Sequence, residues 1–224
     1  MDFNKERAEG LVECLTTNPN SPSAAILMNQ LLTEFHRGYP LENLRPLLLS
    51  RSEEVVTIAA WIASELGRKG KPLLRDVLTL LRHQAKKIRF STIDCILAWA
   101  GPSDGIALAS VITLTDDPEP GVRWKVMDFL ARATPQQLQA ALNYLEETAP
   151  KCPYLKALRW LLGPQSRHPE EVTAFIQSQE SICRKYGAVA AVRISKENRG
   201  PLFFASSVDD VDVRDFAQSG ITLL

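Results

Sequence analysis

The residues best suited to recognise another molecule are aromatic and charged residues that recur at a fixed interval in the middle of the chain. Phe90 and Asp94 are followed 34 residues later by Trp124 and Asp128. Aromatic rings with charged neighbours have the composition of binding hot spots at protein interfaces. The sequence therefore predicts a partner-binding surface made of Trp61, Phe90, Asp94, Trp124, Lys125 and Asp128. The alternative is that the helices are rotated so that these rings pack in the core.

This sequence contains no recognisable catalytic motif. It contains no phosphate-binding G-x-x-x-x-G-K-[ST] loop, no G-x-G-x-x-G, no G-x-S-x-G and no H-E-x-x-H. The 3 histidines are isolated, and Asp94 and Asp128 are better explained as solvated side chains than as an acid–base pair. We therefore expect no catalytic residue, no cofactor and no bound metal, and a non-enzymatic function.

The charge distribution argues against a general polyanion binder. The chain has 26 Lys and Arg and 26 Asp and Glu, so its formal net charge is zero. The most basic segment, Arg82–Arg89, falls in a turn between helices, but the matching turn one repeat later, Asp116–Glu119, is acidic. A nucleic-acid groove needs charge of one sign along such an edge. The sequence therefore favours another protein as the partner over nucleic acid.

Cysteine usage and hydropathy predict a cytoplasmic protein. No apolar run approaches the roughly 18 residues that a membrane span needs. The N-terminus is charged and has no apolar signal segment behind it. The cysteines form no C-x-x-C pair and are interpreted as small core residues of a reducing compartment; they are Cys14, Cys95, Cys152 and Cys183.

An apolar pattern with a period of 33–34 residues decides the predicted fold. One shift of 33 residues and then one of 34 aligns six columns of apolar side chains. The columns are Leu41/Leu74/Leu108, Leu44/Val77/Val111, Leu47/Leu80/Leu114, Val55/Ile88/Val122, Ala60/Ile93/Met127 and Ala63/Ile96/Leu130. Such a period indicates stacked supersecondary units. Helical spacing within each unit predicts helix pairs near 41–66, 73–100 and 106–132.

The third unit resembles a HEAT repeat. Its segment 116–123 reads DDPEPGVR, and Ile88-Arg89 of the second unit matches its Val-Arg. In HEAT repeats an Asp ends the first helix and an Arg six residues later joins a hydrogen-bonded ladder, and Asp117 and Arg123 have this spacing. The resemblance implies an all-α, right-handed α-solenoid of stacked antiparallel helix pairs. It is strong over about 40–134 and weak elsewhere.

The flanking segments are interpreted as irregular terminal repeats. Residues 1–39 and 135–224 carry further apolar helical patterns interrupted by Gly and Pro, so we expect a single helical-repeat domain over 1–224. The segment 188–206 is also compatible with a small β-hairpin, because Ala-Val-Ala-Ala-Val and Leu-Phe-Phe suit strands.

The leading functional hypothesis is a non-catalytic protein-binding module that uses a concave repeat surface. A dedicated inhibitor such as a bacterial immunity protein is one concrete form, by analogy of fold. The alternative is a nucleic-acid-binding protein or an enzyme like the HEAT-like DNA glycosylases, which use concave Trp and Asp residues. A chaperone that loads a cofactor onto another protein is a third possibility. The sequence predicts no oligomeric state.

Overall fold

The computed structural model describes residues 3–222, and within that range every regular element is a helix. The chain divides into two compact units, unit 1 (Met1–Trp99) and unit 2 (Ala100–Leu224). The single domain over 1–224 stays a prediction, and each unit is described by itself below.

Unit 1 is built from long and short helices that alternate after the first pair. The α-helices are α1 (Phe3–Thr17), α2 (Ala24–His36), α3 (Arg45–Leu48), α4 (Glu53–Glu65), α5 (Leu74–Leu78) and α6 (Lys86–Trp99). Short 3-10 helices cover Leu41–Leu44, Gly67–Leu73 and Thr79–Arg82. In this unit α1 packs on α2, α2 on α4, and α4 on α6.

Unit 2 also combines long and short helices, without a regular alternation. Its α-helices are α7 (Gly105–Ile112), α8 (Pro120–Arg132), α9 (Pro135–Thr148), α10 (Leu155–Leu162), α11 (Pro169–Ile176), α12 (Ser181–Ile194), α13 (Gly200–Ala205) and α14 (Val211–Thr222). Short 3-10 helices cover Thr113–Asp116 and Pro164–Arg167. The long helices α8, α12 and α14 each contact the other two. Unit 2 therefore has a three-helix cluster at its centre.

The predicted helix pairs near 41–66, 73–100 and 106–132 are confirmed. The columns on the second helices all lie in the core, where none of their nine residues is more than 3% exposed. The first helix of each pair is broken into α and 3-10 pieces. Pro46 opens α3 and Pro72 lies inside a 3-10 helix, and proline removes a main-chain donor wherever it stands.

The hairpin alternative for 188–206 is wrong, because these residues belong to α12, α13 and the turn between them. Ala188–Ala191 are each 0% exposed, since α12 is covered by α8, α11, α13 and α14. A helix covered all round needs no polar face. Its apolar run therefore resembled a strand.

Trp99 belongs to the core of unit 1, and the core predictions for the four cysteines are correct in part. Trp99 is 3% exposed, and Gly70 lies so close to its ring that a Cβ there would overlap the indole. Cys95 and Cys183 are buried, as expected, but Cys14 is exposed on α1 and the prediction for it is wrong. Only one face of α1 is covered, and Leu11 and Leu15 occupy it. Cys152 is half-buried.

Arginines near the start of the long helices clamp the turns that precede them. Arg123 Nη1 donates to the main-chain carbonyls of Asp117 (2.8 Å) and Pro118 (3.1 Å), which confirms the predicted bonding of Arg123 to this turn. The same arrangement joins Arg89 to His83 and Gln84, Arg184 to Ser178 and Gln179, and Arg214 to Val208. These carbonyls lie in turns, so each guanidinium supplies hydrogen bonds that the helices do not.

Two of these arginines also bind the start of α14. Arg123 makes a two-pronged ion pair with Asp212, at 2.7 Å from Nε to Oδ2 and 2.8 Å from Nη2 to Oδ1. Arg184 Nε donates to Asp210 at 2.7 Å. The buried Lys185 ammonium lies 3.6 Å from Asp212 and donates at 3.0 Å to both Asp116 Oδ1 and the Thr115 carbonyl. Charged hydrogen bonds thus join α14 to α8 and α12.

The clamp predicts a large stability difference between two arginines of α8. Arg123→Ala removes four hydrogen bonds, three of them partly buried, so we expect it to lower the free energy of unfolding by roughly 1–3 kcal/mol. Arg132→Ala is the matched control, because that side chain is exposed and bonds only Asp128 in the part of the chain described. Urea denaturation measures both variants. Equal midpoints for Arg123→Ala and wild type would contradict the clamp.

The Asp212 carboxylate predicts how stability changes with pH. Burial raises the pKa of Asp212, but the hydrogen bonds and charge of Arg123 and the charge of Lys185 outweigh burial and lower that pKa overall. A lowered native pKa stabilises the fold above the unfolded pKa, and this stabilisation is lost as the pH falls through the native value. The stability gap between wild type and Asp212→Asn should therefore be full at neutral pH and shrink between about pH 5 and pH 2.

Thermal melts across that pH range measure the gap. Asp215→Asn is the control, because Asp215 is on the same helix but is exposed. Its ion pair with Arg214 is long, at 3.8 Å. A gap that stays constant down to acid pH would show that the Asp212 charge does not act through its pKa.

Candidate functional site

The candidate site in unit 1 is the outward stripe of the adjacent helices α4 and α6. On α4, Glu53, Thr57 and Trp61 follow one another at intervals of four residues and so lie on one face. On α6, the half-buried Phe90 and Asp94 have the same interval. The structure therefore places three of the predicted residues, Trp61, Phe90 and Asp94, on two packed helices.

Trp61 joins this stripe to the core. Its side chain is half-buried and packs against the core cluster of unit 1, while neighbouring positions on the stripe are exposed or half-buried. Thr57 lies one turn before it, and the Thr57 hydroxyl donates to the Glu53 carbonyl at 2.8 Å. A partly exposed indole held from behind by packing can contact a partner without losing much side-chain entropy.

A cleft of about 460 Å³ opens at the N-terminal end of the stripe. It is lined by the first turns of α4 and α6, by Met28 of α2 and by the turn between α1 and α2. The lining residues are Pro19, Asn20, Met28, Glu53, Glu54, Thr57, Ile58, Ala85, Lys86 and Lys87. Thr57 belongs to both the cleft and the stripe, so the cleft and Trp61 form one continuous surface.

The cleft is bordered by charges of both signs. Glu53 and Glu54 stand in the first turn of α4, where negative charge interacts favourably with the helix dipole. The Ser52 hydroxyl donates to Glu54 at 2.7 Å, and this hydrogen bond lowers the pKa of Glu54. Lys86 and Lys87 stand in the first turn of α6, which contains no acidic residue. Here the helix dipole opposes the positive charge.

In unit 2 the predicted site residues already have partners within the fold. Trp124 packs edge-to-face against Phe216 of α14, with ring centroids 5.9 Å apart. Lys125 is buried, lies 5.9 Å from the Trp124 ring centroid and donates to Asp128 at 3.1 Å. Arg132 also donates to Asp128, at 3.2 Å. The half-buried Trp124 is therefore held by the terminal helix of its own unit.

Sequence reasoning missed most of the cleft. Its lining comes from four separate segments, and no pattern along the chain connects Met28 with Ile58 or Ala85. The available signal was charge, because the basic segment Arg82–Arg89 contains Lys86 and Lys87 of the cleft. The acidic turn that was compared with it is Asp116–Glu119 in unit 2, so the acidic border formed by Glu53 and Glu54 was missed.

The described part of the chain shows neither a group of metal-ligating side chains nor a membrane-spanning helix. Across 3–222 no group of three or more His, Cys, Asp or Glu side chains could hold a metal ion. None of the helices in that range is both long enough and apolar enough to cross a bilayer.

Trp160 is half-buried and stacks on Phe175, with ring centroids 3.7 Å apart.

Comparison with solved structures confirms the helical-repeat fold. A designed armadillo repeat protein in complex with the peptide (KR)4 is 14% identical and matches over 99% of both chains with a TM-score of 0.51. Two engineered proteins match at 15% identity with a TM-score of 0.49 and at 13% with 0.45. The first match covers 99% of this chain and 98% of the engineered protein. The second covers 98% of this chain and 87% of the engineered protein.

No protein-family model matches the sequence, and no curated protein matches it. The likeness to the armadillo protein shows the fold only, at this level of identity. It agrees with the all-α helical-repeat solenoid predicted from the apolar columns.

Proposed function

We propose that this chain is a non-catalytic protein-binding module that holds its partner on the α4–α6 stripe and the adjoining cleft. The observation that carries the proposal is the continuity of the cleft with Trp61 through Thr57. A half-buried aromatic anchor beside a concave site with polar walls is the usual composition of an interface centre.

The charged residues of the stripe suit the rim of such an interface. Glu53 and Lys87 are exposed, and Asp94 is half-buried farther along α6. Rim charges mainly steer association and select partners, while the aromatic centre supplies most of the affinity. We therefore assign Trp61 and Phe90 to the centre and Asp94 to the rim.

A peptide-binding neighbour of the same fold supports a protein partner. The designed armadillo protein is in complex with a basic peptide, (KR)4. The cleft here carries Lys86 and Lys87 as well as Glu53 and Glu54, so a purely basic peptide would meet repulsion at one border. The partner of this chain is therefore of different charge.

We also propose the narrower role of a dedicated inhibitor, such as an immunity protein, acting in the cytoplasm. A stripe whose Trp61 is held by core packing suits a single fixed partner better than many. In unit 2, Trp124 and Asp128 are assigned no part in this contact, because other side chains of that unit already hold them. Nucleic acid as the ligand is disfavoured by the acidic border of the cleft.

Trp61→Ala tests the proposal. The truncation should weaken partner binding by about 2 kcal/mol or more if the ring is a hot spot. Affinity purification from host lysate, followed by mass spectrometry, compares the variant with wild type and with Leu49→Ala, a truncation of an exposed side chain elsewhere in unit 1. We expect at least one protein to be lost with Trp61→Ala and kept with Leu49→Ala.

A second variant distinguishes lost binding from lost folding, because Trp61 also packs on the core. Thr57→Arg leaves that packing in place and fills the surface with a long side chain of higher helix propensity. It should lose the same protein while melting at nearly the wild-type temperature. Identical captured proteins for all variants would overturn the proposed function.

A further inference from the structure

We propose that the unit 1 cleft takes a short protein segment that carries an acidic, an apolar and a basic side chain. This inference rests on the proposed function and specifies the chemistry of the partner at that same surface. Three features of the cleft carry it: an uncompensated lysine, an uncompensated glutamate and an apolar lining beside them.

The basic border points to a carboxylate on the partner. Lys87 is exposed, and its ammonium makes no ion pair or hydrogen bond with any residue described, 3–222. Its place in the first turn of α6 costs helix stability, because the dipole there repels positive charge. A partner carboxylate would meet this lysine at a helix start where the dipole favours negative charge.

The acidic border points to a cation on the partner. Glu53 is exposed at the start of α4 and likewise has no ion pair among the residues described. Next to it, Glu54 accepts a hydrogen bond from the Ser52 hydroxyl at 2.7 Å, which lowers the pKa of Glu54. The two carboxylates therefore create a negative border that a lysine or arginine of the partner would neutralise.

Part of the cleft lining is apolar. Met28 is half-buried and contacts the unit 1 core, and Ile58 is 5% exposed and belongs to that core. Methionine adapts its shape to different apolar neighbours. The cleft volume of about 460 Å³ lies within the range of sites that enclose small ligands. An apolar side chain entering the cleft would be buried against Met28 and Ile58.

Charge complementarity excludes simpler occupants. A polyanion would face the two glutamates, and a wholly basic peptide would face the two lysines. Glu53 and Lys87 do not neutralise each other, since no ion pair within 4.0 Å joins them. Both charges are therefore available to an occupant that carries one charge of each sign.

Selection from a random peptide library displayed on phage tests the inference. The targets are wild type and the double variant Glu53→Lys/Lys87→Glu, which leaves one charge of each sign at each border and keeps the net charge constant. We expect wild type to enrich peptides with an acid, an apolar residue and a base in one order. The double variant should lose this enrichment, because neither border keeps an excess of one sign.

Synthetic copies of the enriched peptides give the size of the effect by fluorescence anisotropy. Either single reversal, Glu53→Lys or Lys87→Glu, should weaken binding by about tenfold or more, because it juxtaposes like charges. Glu147→Lys/Lys151→Glu, an exchange of two exposed charges in unit 2, is the control and should leave binding unchanged.

The outcomes separate this inference from the proposed function. Peptides that depend on Thr57 but not on Glu53 or Lys87 overturn the inference and leave the function standing. Enrichment without the three-part pattern, or no enrichment, also overturns the inference. The function itself is decided by the lysate capture with Trp61→Ala, which needs no assumption about charge.

Discussion

The arginine clamp at the start of the long helices fixes the turns on which the candidate site is built. In unit 1, Arg89 holds the carbonyls of His83 and Gln84 at 2.7 and 2.8 Å, and the residues that follow directly, 85–87, form the basic border of the cleft. On the opposite border the N-cap Ser52 accepts from Val55 and so orients the first turn of α4. The cleft is therefore shaped by two local hydrogen-bonding devices, and its charged residues are left to face outward.

The same repeat position serves different purposes in the two units. Phe90 and Trp124 are equivalent in sequence, and both are half-buried. In unit 2 the ring of Trp124 packs against Phe216 in the middle of α14, and the neighbouring Arg123 binds Asp212 in its first turn. Two contacts therefore attach α14 to α8. A surface residue of a repeat thus becomes part of the attachment of the terminal helix. The stripe of unit 1 remains the better candidate for binding.

The period of 33–34 residues was enough to predict the helix pairs, because a buried column leaves the same apolar signal in every repeat. It could not predict Arg123–Asp212, since 89 residues separate the partners and no periodic signal marks the pair. The burial of Lys125 was missed for a related reason. A lysine next to a tryptophan suggests an exposed surface, but its amine is satisfied by Asp128 three residues later. The cleft required three-dimensional information, because four segments contribute to it.

Site-specific photo-crosslinking tests the binding surface most directly. A photoreactive phenylalanine analogue at position 57 would stand between the cleft and Trp61, and the same analogue at position 147 would stand on an exposed face of α9 in unit 2. In host lysate, a binding surface on α4 and α6 predicts a discrete crosslinked product from position 57 that excess unlabelled protein suppresses, and none from position 147. A product from position 147 with none from position 57 would contradict this placement.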